Sequence, residues 1–176
     1  MKYFSYGSNM LVRRLQERVP SAEVSEIVYS PDHELVFDKV SNDGSGKCGL
    51  IRADGGGGIV YGVVFDMDQD HLPNLDKAEA AGYGYERGKI TVLSLANDTP
   101  IRAETYYPTK RDPALKPYDW YHALVLEGLR EHHLPPEYLA FVEGFETIPD
   151  PNAQRSKQNW ALIRQPQKSV LSLAFE

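Results

Sequence analysis

A glutamate on an apolar stripe is the residue of this sequence best placed to do chemistry. The segment DQDHLPNLDKAEAAG reads as a short helix, with Pro73 tolerable near its start and Gly82 near its C-cap. On a wheel of about 100° per residue laid over 69–80, Leu72, Leu75 and Glu79 share one narrow sector. Asp76 and Lys77 lie off it. A carboxylate on the face that should meet the core is costly unless it is partnered or put to use. Spacing alone leaves two readings: a buried acid–base group, or a rim glutamate at the end of a short helix.

A second constellation lies at the N-terminus. In YFSYGSNM, residues 3–10, aromatics at period-two spacing favour an extended strand. Gly7 then permits a sharp bend or a close backbone approach, and Ser8 or Asn9 suits a helix cap. The stripe Leu11, Leu15, Val19 would follow, ended by Pro20. Strand, tight turn and helix together aim backbone N–H groups at one point, which suits an anion or a developing oxyanion; an ordinary capped turn has the same residues. Tyr6, Tyr83, Tyr85, Tyr106, Tyr107 and Tyr121 are candidates for a hydrogen-bonding cleft, and tyrosines at ordinary core edges fit equally.

Other chemistries fail on mechanism. DGSGKC at 43–48 imitates a P-loop, but Ser41 stands where its first glycine belongs, Cys48 replaces the Mg²⁺-binding hydroxyl, and a strand follows. His132 and His133 diverge by about 100° on a helix, while His33, His71 and His122 stand apart, so no metal site is expected. Ser8 lacks the G-x-S-x-G frame of a hydrolase elbow. Cys48 reads as a small core residue, with a nucleophile pair to a distant histidine as the alternative.

These residues need a scaffold, and 176 residues with 41% apolar content supply one core. A net charge of −6 gives no basic footprint for nucleic acid. No apolar run nears the roughly 20 residues of a membrane span, and MKYFSYGS lacks the form of a signal peptide. The single cysteine excludes an internal disulfide, so a cytoplasmic location is expected. AEVSEIVYS, HELVFDKVS, a short run through Leu50 and Ile51, IVYGVVFDM, KITVLSLA and IRAETYYP read as strands. A four-glycine loop occupies 55–58. PYDWYHALVLEGLREHH and PEYLAFVEGF read as helices. The expectation is an α+β domain of six or seven strands and four short helices over residues 1–150. An extension at 151–176 packs on it or projects from it. This tail has four basic residues and no acidic one before Glu176, and SVLSLAFE is a candidate final strand.

YFSYGSNM, VYGVVFDM and NLDKAEAAGYGY, in this order and spacing, resemble the γ-glutamylcyclotransferase family over approximately residues 3–145. The resemblance implies a small mixed β-barrel flanked by short helices. It implies that Tyr6, Gly7, Ser8 and Asn9 grip a γ-glutamyl group, that Glu79 transfers protons, and that Tyr85, Tyr106 and Tyr121 line the pocket. Ala80 stands where many members have glycine. The implied reaction closes the γ-glutamyl group to 5-oxoproline and releases an amine or amino acid, with no cofactor or metal. The implied partner is a small γ-glutamyl molecule, without nucleic acid or membrane; oligomeric state and leaving group stay open. Two alternatives use the same residues: a non-catalytic metabolite-binding module, and a γ-glutamylamine or biosynthetic acyl-transfer enzyme.

Overall fold

Five strands close into a barrel in the computed structural model, which describes residues 1–164. They are β1 (Lys2–Ser5), β2 (Glu23–Pro31), β5 (Ile59–Asp66), β6 (Tyr85–Ser94) and β7 (Pro100–Pro108), in the order β1-β5-β2-β6-β7. All neighbouring pairs are antiparallel except the closure, where β1 meets β7 in parallel at Tyr3 and Glu104. β5 pairs along its length with β1 and β2, and Val60, Val63, Val64 and Phe65 are buried without exposure. Its β-branched and aromatic content suits a strand covered on both faces.

A separate hairpin, β3 (His33–Val40) with β4 (Gly46–Arg52), stands beside the barrel. Its register slips between Val36 and Lys39. A bulge there breaks the alternation, so Phe37, Asp38 and Lys39 are buried in succession.

The helices are α1 (Val12–Gln16), α2 (Leu72–Ala78), α3 (Asp119–Glu131), α4 (Pro136–Glu143) and α5 (Ala153–Arg164). Leu11, Leu15 and Val19 are buried as their spacing requires, but the expected capping fails. Ser8–Met10 form one 3₁₀ turn, α1 starts only at Val12, and neither Ser8 nor Asn9 caps it. α3 seats this turn. A side chain at Gly128 would meet Met10 Cβ at 2.7 Å, so glycine is what lets helix and turn approach.

Two further expectations need correction. α2 ends earlier than its wheel suggested, with Glu79 as the C-cap residue and Ala80 as the left-handed residue directly after it; Gly82, also at positive φ, follows two residues later. Ala81 N–H donates to Asp76 O and Ala80 N–H to Lys77 O, the bond pair of a Schellman motif. Ala80 holds φ +50° where glycine would be unstrained. The other miss is α5. Asn152 caps it by accepting from Arg155 N–H, Arg155 pairs with Asp150, Leu162 is buried, and Arg13 donates to Ile163 O. Its first two turns are almost wholly polar, so apolar periodicity was silent there. The candidate strand SVLSLAFE lies outside the described residues.

Candidate active site

The bend after β1 and the end of α2 converge on one point. β1 delivers Tyr3 and Ser5 to it, the 3₁₀ turn delivers Ser8 and Asn9, and the Schellman end of α2 fixes the backbone of Glu79. Asn9 is the hub. Its Nδ2 donates to Glu79 Oε1 at 2.7 Å and to Tyr3 Oη at 3.1 Å. Arg18 Nη1 donates to Asn9 Oδ1 at 2.7 Å and reaches Glu79 Oε1 at 3.3 Å. That bond to Oδ1 fixes the amide orientation, so Nδ2 must face the carboxylate. Both contacts of Glu79 fall on Oε1. Oε2 has no hydrogen-bond partner among the described residues, and the side chain is 15% exposed.

Around this hub lies a cavity of about 30 Å³, lined by Tyr3, Ser5, Tyr6, Gly7, Ser8, Asn9, Cys48, Glu79, Tyr85, Tyr106 and Tyr121. All eight residues that the resemblance implies as site residues therefore line one cavity. Tyr83 instead stands 90% exposed on the rim, and Tyr107 faces a different groove.

The tyrosines divide by what their hydroxyls do. Tyr6 donates to Tyr106 O, Tyr85 to Cys48 O at 2.6 Å, and Tyr106 to Asp76 Oδ1 at 2.6 Å. Each has its single proton committed, so these three build the wall. Tyr121 accepts from Cys48 N–H at 3.2 Å, and Tyr3 accepts from Asn9. In these bonds those two are acceptors, and among the described residues no hydrogen bond of the usual geometry takes their protons. Burial pushes every one of these phenols above the ordinary tyrosine range, most of them well above it. They are neutral donors. The Cys48 thiol is pushed up to about 12, again by burial, which leaves it inert as a nucleophile.

Gly7 needs its small size rather than a special φ. Its φ is −124°, whereas a side chain would meet Cys48 Cβ at 3.1 Å, Sγ at 3.4 Å and the Tyr121 hydroxyl at 3.6 Å. Ser5 Oγ is the reverse case: a buried hydroxyl with no partner among the described residues, on the wall of the cavity.

Sharing Ser8, Glu79, Tyr85 and Tyr121 with the inner cavity is a wider cleft of about 330 Å³. Arg14, Arg18, Lys39, Lys47 and Lys110 line it, against one carboxylate, Glu79. Sequence reasoning missed Tyr3, Ser5, Arg14, Arg18 and Lys39. Tyr3 and Ser5 share one face of a strand by period two, and Arg14 and Arg18 one helical face by i, i+4, so those four carried a faint signal. Lys39 carried none, because a bulge turns it inward.

The AIG2-like family matches residues 59–142 of this chain. The γ-glutamylcyclotransferase of cattle (Bos taurus) is 31% identical over 160 residues, covering 88% of this chain and 81% of the bovine protein. The human γ-glutamylcyclotransferase is 30% identical over 152 residues, covering 82% and 78%. A solved structure described as a γ-glutamyl cyclotransferase superposes with a TM-score of 0.83 at 26% identity, covering 94% of this chain and 99% of the other.

Proposed function

The chain belongs to the γ-glutamylcyclotransferase family, and from that premise we propose that it cyclises the γ-glutamyl group of a γ-glutamyl amide or dipeptide to 5-oxoproline, with Glu79 as its single acid–base residue. One observation carries the reading. Glu79 is clamped through Oε1 by Asn9 and Arg18, at the junction of a neutral cavity and an open cleft, with Oε2 unengaged.

The reaction is intramolecular, so holding the folded conformer supplies much of the acceleration. The α-ammonium gives a proton to Glu79 Oε2, and the freed nitrogen attacks the γ-carbonyl carbon. The new C–N bond closes a five-membered ring and the old amide bond breaks. Overall the attacking nitrogen loses two protons and the leaving nitrogen gains two. A carboxylate that alternates as base and acid therefore ends the cycle unchanged. Negative charge on the carbonyl oxygen calls for fixed donors, and the free protons of Tyr3 and Tyr121, with the backbone at Gly7–Asn9, are the groups suited to the role. No step requires a cofactor. The single reduced cysteine suits a cytoplasmic setting.

The test is 5-oxoproline release from a γ-glutamyl dipeptide by Glu79→Gln. Glutamine keeps the size and accepts the Asn9 bond but cannot carry a proton. We expect a loss toward the upper end of about 10²–10⁴-fold. A near-parental rate would reduce Glu79 to a rim residue. Binding of γ-glutamyl compounds without cyclisation by the parent protein would favour the binding-module reading.

A further inference from the structure

The outer cleft holds more positive charge than the proposed chemistry uses. Two of its five cations are already matched: Arg18 by Glu79, and Lys47 by Asp43 at 2.7 Å. Arg14 and Lys39 have no carboxylate partner among the described residues. Arg14 Nε donates to the hydroxyl of Ser8, a neutral acceptor that also belongs to the inner cavity. Lys39 is 8% exposed, and its ammonium sits 4.5 Å from the centre of the Tyr85 ring. Lys110 adds a third unmatched charge at the rim.

Neither placement is an accident of a flexible surface chain. The β3 bulge brings Lys39 inward, and Gly84 makes room for it: a side chain there would meet Lys39 Nζ at 2.7 Å. Burial lowers the affinity of both groups for their protons, Arg14 to about 10 and Lys39 below the ordinary lysine range. Buried or half-buried cations with no carboxylate within ion-pair distance are costly, and an incoming anion repays that cost.

We propose that Arg14 and Lys39 are specificity-determining residues that bind negative charge on the leaving group. This rests on the cyclisation proposed above. With the γ-glutamyl carbonyl held beside Glu79, at the seam of cavity and cleft, the leaving amine projects into the cleft. An α-carboxylate there satisfies one unmatched cation and an acidic side chain a second. The enzyme therefore ranks leaving groups by charge: a dicarboxylic amino acid first, a neutral amino acid next, an uncharged amine last.

The experiment compares kcat/KM for γ-glutamylglutamate, γ-glutamylalanine and γ-glutamylethylamine in the parent, Lys39→Met, Lys39→Arg and Arg14→Gln. Ratios between substrates cancel any effect on folding or on the glutamyl end. We expect the preference of γ-glutamylglutamate over γ-glutamylethylamine to fall about tenfold in Lys39→Met and in Arg14→Gln, and to be largely regained in Lys39→Arg. Unchanged ratios in both charge-removing variants overturn the assignment. Should the parent cyclise none of the three, the proposed reaction falls, and calorimetric binding of the same compounds decides the subsite alone. A charge-ordered affinity lost in Lys39→Met sustains it. Equal affinities, or no binding, overturn it.

Discussion

The inner cavity and the outer cleft meet at Glu79 and are built on opposite principles. Inside, in about 30 Å³, the polar groups other than Glu79 are phenols, hydroxyls, one amide and the Cys48 thiol, all uncharged. Outside, in about 330 Å³, five cations face the space. A neutral, desolvated cavity makes each fixed dipole count for more, which suits a site where charge appears only in the transition state. A wide cationic cleft does nothing for that step but can choose what enters. On the proposed reaction, this division would separate catalysis from selection, with Glu79 at the seam.

The largest effect that tests this division is the Glu79→Gln loss already described, since it removes the group that serves both sides. Next comes Gly7→Val. The structure puts its added carbons against Cys48 and the Tyr121 hydroxyl, so the inner cavity should close or shift. We expect turnover to fall at least about tenfold while circular dichroism shows a folded protein, because sub-ångström misplacement at a reacting centre is expensive. Near-normal kinetics would mean that the bend is only a turn.

A paired substitution sharpens the distinction inside the cavity. Tyr121→Phe removes a hydroxyl with a proton to spare and also unpairs the buried Cys48 N–H, so beyond a stability loss of its own kcat/KM should drop by about tenfold, the worth of one good hydrogen bond. Tyr85→Phe strips the partner from the buried Cys48 carbonyl, so its main effect should be on stability, a loss of about 1–3 kcal/mol in denaturant titration. An equal loss of activity in the two variants would dissolve the separation of wall from donor.

The smallest effect is expected at Ser5. Its buried hydroxyl has no partner among the described residues, so Ser5→Ala should stabilise the ligand-free fold by about 1 kcal/mol. Destabilisation in urea unfolding would show that the hydroxyl is satisfied in solution, by water or by a bond that forms there.

Much of this was legible in the residues. Leu72, Leu75 and Glu79 at helical spacing placed the carboxylate on an inward face, and Glu79 lies there. The β-branched and aromatic content of IVYGVVFDM marked a buried strand, and β5 buries Val60, Val63, Val64 and Phe65 completely. Local periodicity reports which face of an element is apolar, and burial obeys it. Helix ends and caps were less legible. Ser8 and Asn9 look like caps, but tertiary partners claimed both side chains: Arg14 binds Ser8, while Glu79, Tyr3 and Arg18 bind Asn9.

By itself the sequence determined the strands, the stripe that carries Glu79 and the turn that faces it. These depend on contacts between near neighbours along the chain. Only the tertiary structure decided which tyrosines keep a free proton, which oxygen of Glu79 is unengaged and which cations lack a partner. A hydrogen bond between Tyr106 and Asp76 joins residues 30 positions apart, and the bond from Asn9 to Glu79 spans 70. No local pattern encodes such pairings. They follow from barrel closure and from a bulge that turns Lys39 toward the cleft, both of which are set by how distant strands find their register.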